Sequence, residues 1–202
     1  MSKWGTEEKE TLHAISKIGF SGYLLNIAAG DGRFNNTLLQ CADKVLAIDI
    51  SEDELKILKK SCPSNLRQKL YTKRVGITKE FPFKREEFDG IFCTGTLHLF
   101  EKQTIIKILK EIKRILKRNG KIVLDFATDI ERLNQKKEKV IFDGEGNYQT
   151  EDAISFFQKE LNDFILDIEV ASFCEECLDS SAGYQSIKGK FLVITGRKKG
   201  SL

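Results

Sequence analysis

Two hydrophobic signatures alternate along this chain. Short apolar runs, at Tyr23–Ile27, Val45–Ile48, Phe88–Cys93 and Lys121–Phe126, have the continuous character of strands buried on both faces. Between them lie segments of helical period. The clearest spans Gln103 to Arg118, where Ile105, Ile108, Leu109, Ile112, Ile115 and Leu116 recur every three or four positions, and Asn119-Gly120 is its expected terminator. A first helix is predicted from Thr6 to Lys17, broken by Gly19 to Gly22, and a second from Phe34 to Cys41. Ser51-Glu52-Asp53-Glu54 reads as a capping box that opens a helix through Leu55 and Leu58 and ends near Cys62-Pro63. A weaker strand is expected at Leu70 to Val75. A polar stretch, Ala127 to Gly146, is expected to separate this part from a helix at Thr150 to Asn162. Two final strands follow, Phe164 to Phe173 and Lys190 to Arg197, with a loop from Cys174 to Gly189 between them.

Five strands alternating with helices predict an α/β fold with a doubly wound, mostly parallel sheet. The last two strands, joined by a loop alone, must run antiparallel. The expectation is therefore a seven-stranded sheet with an antiparallel C-terminal edge hairpin. One domain is expected over residues 1–202, with an N-terminal helix in 1–21, a ligand-binding core in 22–126, and a substrate-side region with the hairpin in 127–202.

Composition changes little in this picture. At 202 residues, with 41% hydrophobic and 31% charged positions, the chain has the make-up of an ordinary globular domain. No apolar run approaches the roughly 18 residues of a membrane span, and the polar N-terminus does not read as a secretory signal, so a cytoplasmic location is expected. The net charge of +3 is too small to signal a dedicated nucleic-acid binder. Five cysteines, an odd number, without a signal argue against a disulfide framework.

Chemistry concentrates in the first strand–turn–helix–strand unit. Ala28-Ala29-Gly30-Asp31-Gly32 follows the first strand, and Asp49 ends the second. Glycines let the backbone approach a ligand, free amides at the helix start face it, and an acid at the second strand tip can accept hydrogen bonds from a ribose. The unit is thus built for a nucleotide-like ligand. The dinucleotide fingerprint G-x-G-x-x-G is not met.

Four stretches, in order, are similar to the class I S-adenosylmethionine-dependent methyltransferases: LLNIAAGDG, AIDIS, FPFKREEFDGIFCTGTLHLF and EIKRILKRNGKIVLDF. The resemblance runs from about Gly22 to Arg197 and implies a Rossmann-like methyltransferase fold with S-adenosyl-L-methionine as cofactor. It implies that Gly30 and Gly32 admit the cofactor, that Asp49 takes its ribose hydroxyls, and that Ile50 lies against the adenine. Ile77 and Thr78 fall where the family binds the adenine amino group, although Ile77 replaces the usual acid. Asn26 and Ala28 replace the family's usual acid and glycine. Cys93 and Thr94 end the fourth strand near the expected sulfonium, and His98 on the same loop is a candidate general base. Asp125, Phe126, Thr128 and Asp129 fall on the acceptor side. Phe142, Tyr148 and Trp4 are aromatics that could close over the site.

The resemblance implies methyl transfer by in-line displacement, in which alignment can supply roughly 7–11 kcal/mol without a dedicated catalytic side chain. A small-molecule acceptor is the leading expectation. An RNA or protein substrate, held by the basic side of the Gln103 to Arg118 helix, is one alternative. A catalytically silent cofactor-binding partner subunit, suggested by Asn26, Ala28 and Ile77, is the other. Cys174-Glu-Glu-Cys177 is a lone C-x-x-C; a zinc site needs four ligands, and no second pair is near it, so no metal is expected.

Overall fold

A computed structural model describes residues 8–142, 146–177 and 183–200. The elements are helices α1 (Lys9–Ile18), α2 (Asn35–Cys41), α3 (Glu52–Ser61), α4 (Lys102–Ile115) and α5 (Thr150–Glu160), with strands β1 (Tyr23–Ile27), β2 (Lys44–Asp49), β3 (Leu70–Arg74), β4 (Phe88–Cys93), β5 (Leu116–Leu133), β6 (Lys139–Val140), β7 (Phe164–Glu176) and β8 (Ser186–Lys198). The sheet order is β3-β2-β1-β4-β5-β8-β7, with β6 paired to β5 off this path. β1 to β5 are parallel, whereas β8 runs antiparallel to both β5 and β7. The expected mixed sheet is therefore present, with β8 as the inserted strand and β7 as the edge.

Side-chain alternation explains the layering. Leu24, Val45, Phe92, Val123 and Val193 pack on one face with Ala14, Ile15 and Leu38 of α1 and α2. Their neighbours Leu25, Leu46, Ile91, Ile122 and Leu192 pack on the other face with Ile105, Ile112 and Phe157 of α4 and α5. With both faces covered, the strands must be apolar throughout, which is why their sequence signal is clear. Ser51 caps α3 by accepting from the Glu54 amide at 3.3 Å.

Two boundaries differ from the sequence expectation. α4 ends at Ile115, not Arg118, and Leu116 is already extended. The carbonyls of Arg114 and Ile115 accept from the amides of Glu86 and Glu87, and Lys198 Nζ donates to the carbonyls of Lys113 and Leu116 at 2.7 and 3.0 Å. Tertiary partners thus finish the helix before Asn119, which sits in a positive-φ turn at 60°.

The second difference is larger. The first residues of the polar stretch Ala127 to Gly146 continue β5 as far as Leu133, and both ends of the expected loop Cys174 to Gly189 are strand, Cys174 to Glu176 in β7 and Ser186 to Gly189 in β8. β5 and β8 stay in register to the Leu133–Ser186 pair, with one irregularity between Thr128 and Glu131. β7 stays with β8 out to the Glu176–Ser186 pair. Polar and charged residues suit these strands because one side faces water: Glu131 pairs with Lys188 at 2.8 Å and Lys139 at 3.2 Å. The result is a β arm that projects beyond the carboxyl ends of the central strands.

Candidate functional site

The carboxyl ends of β1, β2, β4 and β5 converge below this arm, around a cavity of about 750 Å³. Open α/β sheets hold ligands at this edge. The order of the strands makes the crevice: β2 and β4 both flank β1, so the chain leaves β1 and β4 in opposite directions.

One wall is the turn after β1. Ala29 N bonds Ile48 O at 2.9 Å, Gly32 N bonds Ala29 O at 3.0 Å, and Asn35 N then opens α2 by bonding Gly32 O at 2.9 Å. Asp49 fastens this turn to the tip of β2. Its Oδ2 accepts from the Gly30 amide at 2.9 Å and its Oδ1 from the Ser51 amide at 2.8 Å. Ile50 follows, with 69% of its surface exposed at the cavity rim. A carboxylate beside an uncovered aliphatic face matches the two sides of a nucleoside, one polar and one flat.

The opposite wall carries charge. Asp125, at the carboxyl-terminal half of β5, accepts from the Gly95 amide at 2.6 Å. Arg33 is paired with Glu8 at 2.6 Å and lies over the Phe34 ring at 4.9 Å. Burial raises the Asp125 carboxyl to about 7; the Gly95 bond opposes this, Glu8 adds to it and Arg33 reduces it. Burial, with Asp125 next to it, also pushes the Cys93 thiol up. The roof is the arm, which contributes Ile130, Arg132, Phe173, Glu175, Ile187 and Phe191. Five carboxylates (Glu8, Asp49, Glu54, Asp125 and Glu175) face two guanidinium groups across this space. The cavity is therefore net acidic, a setting that favours a cationic ligand over an anionic one.

Of the residues expected from sequence, Asn26, Ala28, Gly30, Asp49, Ile50, Thr94 and His98 line the cavity. Gly32, Ile77, Thr78 and Cys93 do not. Gly32 is needed for the turn itself: its φ is +91°, and a Cβ there would meet Leu58 at 2.7 Å. Ile77 is packed in the core with Val75 and Phe81, Thr78 is exposed, and Cys93 is wholly buried. The apolar side chain at 77 turns inward where an acid would turn to a ligand. His98 sits edge-on to Phe126 at 6.4 Å.

Among the acceptor-side residues, Asp125 reaches the cavity, whereas Phe126 is core. Thr128 and Asp129 are tied to Thr150, at 2.8 and 2.7 Å. Tyr148 packs on Phe126 and donates to Phe100 O at 2.6 Å. Phe142 stacks with Arg132 and Tyr184 on the arm. Trp4 lies outside the described residues. Arg33 and Glu8 were not anticipated, although Arg33 directly follows the glycines. Of the arm's cavity residues, Phe173 and Phe191 fall at the ends of strands expected from sequence, whereas Ile130 and Arg132 fall in the expected polar stretch and Glu175 and Ile187 in the expected loop.

Cys174 is exposed and Cys177 half-buried on the arm. Among the described residues, no cluster of His, Cys, Asp or Glu is arranged to hold a metal ion, and no helix is long and apolar enough to cross a membrane.

Comparison with known proteins agrees with this fold. A family model described as "Methyltransferase domain" matches residues 25–124. A protein of Schizosaccharomyces pombe named as an uncharacterized methyltransferase is 31% identical over 116 residues, which is 57% of this chain and 43% of the relative. The chain thus spans about two-fifths of the length of the first curated relatives it matches. A solved Bacillus halodurans protein, described as a candidate methyltransferase, superimposes with a TM-score of 0.73 at 15% identity over 96% of this chain and all of that one. A structure described as a SAM-dependent methyltransferase from Methanosarcina mazei does so with a TM-score of 0.65 at 14% identity, over 97% of this chain and all of that one. At these identities the two structures show a shared fold.

Two measurements test the site's internal energetics. Ala28 holds φ +53°, a conformation that costs a residue with a Cβ about 1–2 kcal/mol, part of which glycine returns as unfolded-state entropy. Ala28→Gly is expected to raise the unfolding free energy by about 0.5–1 kcal/mol in urea titrations. Asp125 keeps its proton in the folded state up to about 7, against about 3.9 unfolded. The native state then binds more protons between those values, so this group's contribution to stability is greatest at low pH and declines as pH rises through 7. Urea melts at about pH 4.5 and about pH 7 are expected to show that decline in the wild type and a smaller one in Asp125→Asn.

Proposed function

We propose that the chain belongs to the class I S-adenosylmethionine-dependent methyltransferase family, a reading supported by the family model over residues 25–124, the methyltransferase relatives and the shared fold, and that it is an enzyme that transfers a methyl group from S-adenosyl-L-methionine to a small-molecule acceptor. The observation that carries the donor assignment is the Gly30–Asp49–Ser51 clasp beside exposed Ile50. Each Asp49 oxygen takes one amide and keeps a lone pair for a ribose hydroxyl. Ile50 offers the adenine an apolar face. Asn26, Ala28 and Thr94 complete the wall on the side of the donor's amino-acid and sulfonium portions. When bound, the donor supplies an already activated methyl group. What remains for the chain is to hold both partners in line, exclude water and receive a proton.

The arm supports a small acceptor. A cavity of about 750 Å³ lies within the range of small-molecule sites, roughly 300–1,000 Å³, and its roof brings Ile130, Phe173, Ile187 and Phe191 over it. The alternative of an RNA or protein substrate on the basic side of α4 draws less support. Lys113 donates to Glu160 O, Arg114 is held by Glu111 and two loop carbonyls, and Lys117 pairs with Asp89. Those cations serve the fold.

Calorimetry with S-adenosylmethionine, S-adenosylhomocysteine and NAD tests the donor assignment. The first two are expected to bind and NAD is not. Asp49→Ala and Asp49→Asn are expected to weaken binding ten- to a hundredfold, since hydrogen bonds to a charged group contribute about 1.5–3 kcal/mol. NAD binding in preference to the sulfonium compound, or Asp49 variants that bind as the wild type does, would contradict it.

A further inference from the structure

We propose that Asp125 is the proton acceptor for a neutral O–H or N–H methyl acceptor whose apolar body lies against Phe173, Ile187 and Phe191 of the arm. This rests on the donor reading of the Asp49 clasp and adds to it the class of the second substrate.

Three observations carry the assignment. Asp125 faces the cavity at the same strand edge as the donor clasp, and its Oδ1 is anchored by the Gly95 amide at 2.6 Å. The tether fixes the carboxylate plane and leaves Oδ2 without a hydrogen bond among the described residues. Next, the surface facing the donor clasp is apolar: Phe173 and Phe191 lie 6.3 Å apart on paired strands, with Ile187 farther along β8. A molecule seated there would bury an aliphatic or aromatic body. Finally, the charge around Asp125 selects against anions. Glu8, Glu175 and Asp125 itself line the cavity and outnumber its two cations, Arg33, which is paired with Glu8, and Arg132, whose guanidinium lies over the Phe142 and Tyr184 rings. A protonated amine does not react either, because its nitrogen lone pair holds the proton. The reacting group is therefore neutral and carries a proton that must leave.

The surroundings suit Asp125 for that task. The groups that bear on its charge are Glu8 before α1, Arg33 before α2, and the Cys93 thiol at the end of β4; His98 and Glu175 line the same cavity. Burial dominates and brings the carboxyl to about 7, where a general base is effective near neutral pH. During transfer, the bond from the methyl group to sulfur breaks as the bond to the acceptor's oxygen or nitrogen forms. Sulfur keeps the electron pair and leaves as a thioether, and the acceptor's proton passes to Asp125 and then to water. His98, offered by the sequence as a base, lines the same cavity and sits edge-on to Phe126.

The test uses 4-methylphenol as the acceptor probe and 4-methylbenzoate as its anionic counterpart, titrated by calorimetry into protein saturated with S-adenosylhomocysteine. The phenol stays neutral from pH 6 to 8, as its pKa is about 10. If it binds the ionised form of a carboxyl at about 7, its affinity rises about tenfold across that interval, following the ionised fraction. Asp125→Asn, saturated at its own measured donor-product affinity, is expected to lose at least tenfold in phenol affinity at pH 8 together with the pH dependence, and to bind 4-methylbenzoate more tightly than the wild type does. His98→Asn is expected to keep the pH dependence. A phenol affinity independent of pH, or a dependence that disappears with His98 and persists without Asp125, overturns the proposal. So does protein that binds S-adenosylhomocysteine and no phenol. Failure to bind S-adenosylhomocysteine at all defeats the donor reading first, and is seen before any probe is added.

Discussion

The site depends on one carboxylate. Asp49 holds the Gly30 amide with one oxygen and the Ser51 amide with the other, at 2.9 and 2.8 Å. The first bond pins the turn after β1; the second positions the residue that caps α3. Both are charge-assisted and partly shielded from water, so together they contribute a few kcal/mol to holding a backbone that adopts positive φ at Ala28, Gly30 and Gly32. Parallel pairing of β1 with β2 brings the two tips side by side. Without that register the acid could not reach the turn, and the crevice would lack its ordered wall.

The second organising feature is the length of β5, β7 and β8. The five parallel strands alone would form only the wall of the cavity that carries Gly30, Asp49 and Ile50. By continuing to Leu133, Glu176 and Ser186, the C-terminal strands bring an apolar surface over the crevice and enclose Asp125. The same extension that roofs the cavity also removes water from a carboxylate, which is why its proton affinity moves toward neutrality. Architecture and chemistry are linked here by burial.

Much of this was legible from the sequence, for a physical reason. Strands buried on two faces must be apolar, so β1, β2 and β4 were placed to within a residue, and Ser51–Glu54 marked the start of α3 by its capping chemistry. Asp49, Gly30 and Ile50 could be placed at the cavity because they sit at or just beyond the tips of buried strands. What escaped were features set by tertiary contacts. Arg118 belongs to a helical pattern, yet Glu86, Glu87 and Lys198 claim the carbonyls that would have extended α4. The arm strands have one wet side, so Glu131 and Lys188 resemble parts of a polar linker. Ile77 and Thr78 matched a binding position by sequence spacing, while packing sends Ile77 into the core. Glu8 and Arg33 meet from different elements, and no local pattern announces that.

The most direct measurement of the central claim is a crystal structure of the protein with S-adenosylhomocysteine. The account predicts ribose hydroxyls on the Asp49 carboxylate, adenine over Ile50, and the sulfur directed toward the space between Thr94 and Asp125 beneath the arm. A ligand seated elsewhere, such as the groove between α4 and α5 near Lys102 and Phe156, or one whose ribose leaves Asp49 untouched, would contradict it.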